Sequence, residues 1–132
     1  MDKNNIVECA REQLDIPYLH QGRNINGIDC VGLIYRVGLL CGYKIEYPQG
    51  YEQVPNPEFL YEGLEANLVR VDDHKKPSTG DILVIRFGVE PQHLAIFTGS
   101  TLIHSYESAG KVVEQNYTDT WKKRTVRAYR YE

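Results

Sequence analysis

Three side chains in the sequence, Cys30, His93 and His104, are of the types that together make a nucleophile, its base and a group to orient the base. A thiol attacks as its thiolate, so position matters. Cys30 follows Gly27-Ile28-Asp29 and opens an apolar helical pattern, Val31-Gly32-Leu33-Ile34. Unpaired N–H groups and the positive end of the helix dipole gather at such a start, which predicts a lowered thiol pKa. His93 opens a β-type run, His93-Leu94-Ala95-Ile96-Phe97-Thr98, and is expected at the mouth of a sheet. His104 lies in the next run, Thr101 to Tyr106, across Gly99-Ser100, a two-residue hairpin signal. Counting outward from that turn pairs Ile96 with Ile103 and Ala95 with His104. His93 shares a face with Ala95, so the two histidines stand on one face at the diagonal separation that long side chains bridge.

The same three residues are also a donor set that zinc accepts. No C-x-x-C, H-x-x-x-H or H-E-x-x-H pair accompanies them, and the expectation is neither metal nor other cofactor. Cys9 and Cys41 sit inside or at the end of apolar helical patterns and read as packing residues. His20 and His74 fall in polar loops and read as solvated. Asp29 suits a helix cap or a tie on the preceding loop. Arg23 suits either a substrate carboxylate or an ion pair with Asp29.

The elements that must position these groups follow from periodicity. Ile6, Ala10 and Leu14 predict a helix over Asn5 to Leu14, capped by Asn4 or Asn5 and stopped by Asp15-Ile16-Pro17. Residues 18–28 are rich in Gly and Asn and read as a loop. The helix from about Asp29 to Leu40 is apolar on most sides, hence buried and central, with Gly42 as its stop. Tyr43 to Pro57 is broken by Pro48, Gly50, Pro55 and Pro57 and reads as a surface connection. Asn56-Pro57 then caps a short helix with Leu60, Leu64 and Leu68 on one side. Residues 72–80 form a polar turn without chemistry of their own. After Gly80 the period changes to that of strands, over 81–87, 93–98, 101–106, 111–115 and 125–131. Helices first and an antiparallel sheet of about five strands after them is an α+β arrangement.

Composition agrees with one soluble globular domain over residues 1–132. Fifteen basic against eighteen acidic side chains leave a net charge of −3, which argues against non-specific nucleic-acid binding. No stretch is apolar for long enough to cross a bilayer, and the first residues lack the apolar core of a signal peptide. The chain is therefore expected to be cytoplasmic as synthesised, with any role outside needing a separate export route. Three cysteines cannot all pair within one chain, so a disulfide framework is not expected. Lys122-Lys123-Arg124, Arg127 and Arg130 make a basic C-terminal end that reads as a solvated face. Of the ten tyrosines, Tyr47, Tyr51, Tyr106 and Tyr117 are candidates to line a cleft.

Pro17-Tyr18, Gly22-Arg23 and Gly27-Ile28-Asp29-Cys30-Val31-Gly32-Leu33, in that order, resemble the nucleophile segment of the NlpC/P60 cysteine peptidases. Gly80-Asp81-Ile82-Leu83 and His93-Leu94-Ala95-Ile96 resemble the strands that follow it in that family, and the spacing to His104 suits the third catalytic position. The likeness runs along nearly the whole chain and is greatest to the small phage-type members, cell-wall peptidases found with tail genes. It implies a papain-like fold and hydrolysis of peptidoglycan stem peptides, usually between D-glutamate and a diamino acid. Cys30 would be the nucleophile, His93 the base and His104 its orienting partner. The Tyr18 hydroxyl would help hold the oxyanion, with Asp29 and Arg23 beside the substrate. Partners implied are peptidoglycan peptides and phage tail proteins.

Two departures stand out. Val31 follows the nucleophile where many members have Ser, and Gln21-Gly22-Arg23 carries one glycine where a pair is common. A tail-assembly protein that keeps the fold for binding, or a thiol acyltransferase or amidase, remain alternatives.

Overall fold

The computed structural model describes residues 3–46 and 56–132. The connection expected over 43–57 therefore falls largely outside the described residues, as do Tyr47 and Tyr51. Helix α1 (Lys3–Arg11) buries Ile6 and Ala10, one turn apart. It ends before Leu14 because Gln13 and Leu14 donate to carbonyls three residues back, and Asp15 then turns the chain at φ 73°. The loop expected over 18–28 contains a small antiparallel ribbon, β1 (Arg23–Asn24) with β2 (Gly27–Ile28). A Cβ on Gly22 would stand 2.3 Å from the Gly27 carbonyl oxygen, so only glycine fits where the ribbon folds back.

Helix α2 (Cys30–Leu40) is the buried central helix that the pattern predicted. Leu33, Ile34 and Val37 are fully enclosed, each contributing about 2 kcal/mol by leaving water. Gly42, at φ 92°, ends it. Helix α3 (Pro57–Asn67) starts as expected, with the Asn56 side chain accepting the Phe59 N–H at 2.8 Å and Pro57 in the first turn. Leu60, Leu64 and Leu68 are buried.

The main sheet has six strands, not about five. In spatial order they are β3 (Val69–Arg70), β8 (Thr125–Arg130), β4 (Ile82–Phe87), β5 (Glu90–Phe97), β6 (Thr101–Tyr106) and β7 (Lys111–Asn116), all antiparallel. The additional strand, β3, has two residues, too few for a period to show. Ile82, Val84, Leu94, Ile96 and Ile103 face α1–α3. The alternate residues Leu83, Ile85, Ala95, Phe97 and Leu102 face the other way and are covered by Trp121 of a short helix, α4 (Asp119–Arg124), not anticipated from the sequence. Both faces of the sheet are therefore packed, and the α+β class stands. Among the described residues, no helix is long and apolar enough to cross a membrane.

The basic end is not simply a solvated face. The Arg130 guanidinium grips the fully buried Asp81 with two hydrogen bonds of 2.8 and 2.9 Å. Arg127 lies 3.7 Å over the Tyr61 ring, with Glu65 at 3.6 Å. Asp81 also accepts the Ser78 N–H, which closes the turn into β4.

Candidate active site

The loop before α2 is tied at both ends of one side chain. Asp29 is buried; its Oδ1 accepts the Gly32 N–H at 2.7 Å and its Oδ2 accepts the Gln21 N–H at 2.8 Å. It thus caps the helix and ties the loop at once. Gln21 stands at φ 62°, a left-handed conformation that costs a non-glycine residue about 1 kcal/mol, and the Asp29 bond holds it there. That is where the sequence is one glycine short. His20, expected in solvent, is half-buried with Nδ1 3.9 Å from Asp29 Oδ2. Below the loop, Ser105 Oγ of β6 donates to the Ile28 carbonyl at 2.6 Å, pinning the start of α2 to the sheet.

Tyr18, Asp29, Cys30, His93 and Tyr106 line one cavity of about 180 Å³. The Cys30 sulfur faces the backbone N–H groups of Val31 and of Leu94, the residue after His93, so the helix start and the strand meet at the thiol. Arg23 is exposed on β1 and is not among the residues lining this cavity. Tyr117 lines a separate groove beside Phe97.

His93 and His104 meet as the hairpin register predicted: Ile96 pairs with Ile103, and His93 Nε2 lies 2.7 Å from His104 Nδ1. They are not at an open mouth. His93 is 4% and His104 0% exposed, because β5 begins at Glu90 rather than at His93 and lengthens the hairpin with β4. Phe87 stacks on His93 at 5.0 Å, Tyr106 stacks on His104 at 5.0 Å, and Trp121 abuts His104 edge-on at 5.3 Å. These rings prevent either imidazole from turning.

Gln115 of β7 completes the row, and sequence reasoning missed it. His104 pairs with Val113, so Gln115 occupies the diagonal position on the same face, the relation that joins His93 to His104. Its Oε1 meets His104 Nε2, and an amide oxygen only accepts. In the neutral ring His104 Nε2 then carries the proton, and Nδ1 must accept from His93 Nε2–H. The His93 Nδ1 lone pair is left as the basic site.

Burial sets the resting protonation. It pushes the Cys30 thiol up to about 12, with the charge of Asp29 adding to the rise. The backbone N–H groups at the helix start do pull it down, but by less. The expected lowering is thus reversed by enclosure. Burial holds His93 well below 6.5, aided by His104, and burial also lowers His104. The resting pair is a neutral thiol beside a neutral imidazole. Passing one proton from Cys30 to His93 keeps the net charge at zero, so it costs less than ionising either group alone.

The buried neutral histidines have a consequence for stability. Below pH 6.5 the unfolded chain protonates both, while the folded chain resists. Stability is therefore present above pH 6.5 and falls as the pH drops, by up to about 2.7 kcal/mol per pH unit for two protons. Urea midpoints between pH 7 and 5.5 should show this slope, and His93→Gln/His104→Gln should flatten it. A flat profile for the unmodified protein would mean that the rings are charged in the fold.

Solved structures show the same fold. An NlpC/P60 family protein from Bacillus cereus superposes with a TM-score of 0.76 at 20% identity, covering 99% of this chain and 40% of that one. The NlpC/p60 domain of the peptidoglycan hydrolase SagA superposes at 0.68 and 20% identity over 98% of both. The fold is the papain-like one of the NlpC/P60 proteins. The NlpC/P60 family model itself matches residues 15–130, and the chain belongs to that family. It is also 25% identical to the Escherichia coli protein named murein DD-endopeptidase MepS/murein LD-carboxypeptidase, over 130 residues. That match covers 97% of this chain and 62% of the relative's length.

Proposed function

We propose that the chain is a cysteine peptidase of peptidoglycan stem peptides, acting as one catalytic domain over residues 1–132. The observation that carries this reading is the shared cavity of Cys30 and His93, with the far nitrogen of His93 held 2.7 Å from His104. His93 Nδ1 takes the Cys30 proton as the sulfur attacks the peptide carbonyl carbon. The N–H groups at the start of α2, with the Tyr18 hydroxyl, stabilise the oxyanion. The His93 imidazolium then protonates the leaving amine; water, deprotonated by His93, releases the acid and restores the thiol. His104 and Gln115 keep His93 in the tautomer this needs. Asp29 holds the oxyanion loop, and Arg23, exposed on the preceding ribbon, pairs with a stem-peptide carboxylate. The chain needs no metal or cofactor for these steps.

The bond cut is that between D-glutamate and the diamino acid, a choice supported by the segments resembling the family's nucleophile region. Their likeness to small phage-type members supports a tail-associated setting, with tail proteins as partners. The names of the SagA and MepS relatives support peptidoglycan as the substrate.

Incubation of the protein and its Cys30→Ala variant with purified peptidoglycan tests the reading. Mass spectrometry should find fragments with a new diamino-acid amine only with intact Cys30. Equal background release from both would sink the peptidase reading, whereas Cys30-dependent release at another stem bond would replace the bond alone.

A further inference from the structure

The geometry points to Cys9 and Cys41 as a site of covalent cross-linking, a disulfide that joins α1 to the end of α2 when the folded chain meets a disulfide oxidant. Cys9 lies on the inner side of α1, one turn after Asn5, whose carbonyl is 3.8 Å from the Cys41 sulfur. The two thiols are near enough to interact with each other across the helices. Both line one open groove of about 440 Å³, between Glu8 and Glu12 on one side and Leu40 on the other. Packing alone would account for two small apolar side chains. It does not account for two thiols from different helices set at one groove that admits solvent. Cys41 terminates α2 and Cys30 begins it, so the pair is about 16 Å from the nucleophile and cannot readily exchange with it. The inference is independent of what the chain hydrolyses.

With oxidised glutathione as oxidant, one thiolate of the pair attacks a glutathione sulfur and expels one glutathione. The second thiolate attacks the resulting mixed disulfide and expels the other. Two protons leave the chain and two electrons reduce one glutathione disulfide to two thiols. The product closes the loop between residues 9 and 41, which constrains the unfolded chain and stabilises the fold.

The test uses folded Cys30→Ala protein, in which only Cys9 and Cys41 remain, treated with oxidised glutathione at pH 8.5. Burial holds the Cys9 thiol at about 12, so the alkaline medium speeds formation of the attacking thiolate. The expected product has no free thiol, is about 2 Da lighter and carries no glutathione. Its tryptic digest joins the peptides Asn4–Arg11 and Val37–Lys44, and its Tm rises by several degrees. The protein with Cys30 intact should lose two of its three thiols under the same treatment. A stable glutathione adduct on either cysteine without the cross-link, or two thiols still free, overturns the proposal. Adding Cys9→Ser should abolish both the cross-link and the Tm rise.

Discussion

His93→Ala is expected to lower kcat/KM on a stem-peptide substrate by 10⁴-fold or roughly that, more than any substitution behind it in the row. In the proposed mechanism one ring both takes the thiol proton and returns it to the leaving amine, and general acid–base roles of this kind are worth about 10²–10⁴. The loss is compounded because burial holds the Cys30 thiol up at about 12, so little thiolate forms without a base. His104→Ala should cost less, roughly 10²-fold, since the base remains and only its orientation and tautomer are released. His104→Asn, which keeps an acceptor for His93 Nε2–H, should recover part of that loss. Gln115→Ala should cost the least and should shift the acidic limb of the pH profile, because it frees the His104 tautomer. Retention of activity within tenfold by His93→Ala would remove His93 from the role of base. Equal losses for all three positions would argue for general unfolding, which circular dichroism would reveal.

The second large effect concerns stability. Arg130→Met should destabilise the fold by about 3 kcal/mol, at the low end for a broken buried pair because the guanidinium is partly exposed. Asp81 would be left as a fully buried carboxylate that still accepts the Ser78 N–H. The double change Asp81→Asn/Arg130→Met should recover much of the loss, since the neutral amide avoids burying a charge. Urea unfolding of the three variants measures this. A loss below about 1 kcal/mol for Arg130→Met would show that water reaches Asp81 in the fold. Asp81 lies in one of the segments that resemble the family's strands after the nucleophile, yet its role is to hold β4 to β8 and close the turn before them.

Much of the site was legible because the features concerned are local. Asp29 before an apolar run specifies a helix start, and the start places Cys30; no distant residue has to be known. Alternation and a two-residue turn specify which strand residues share a face, so the His93–His104 contact followed from counting. Gln115 was within reach of the same rule, but a polar residue at the end of a strand carries no chemical signal until its neighbour is known to be a histidine. Short elements escaped for a related reason: β3 and the β1–β2 ribbon hold two residues per strand, and α4 fewer than two turns, too little for any period.

What the sequence determined by itself was the set of candidate reacting groups, the order of the elements and the hairpin register. These depend on backbone geometry within a few residues. Only the tertiary structure decided the electrostatics. The helix start favours a thiolate, but α2 is pressed on the sheet and the ring cluster of Phe87, Tyr106 and Trp121 closes over the histidines. Desolvation then outweighs the backbone N–H groups at Cys30 and keeps both imidazoles neutral. Tertiary packing likewise separated the cysteines, setting Cys9 against Cys41 across two helices and leaving Cys30 apart from both. Sequence spacing carries no such information, because enclosure and contact are sums over residues far apart in the chain.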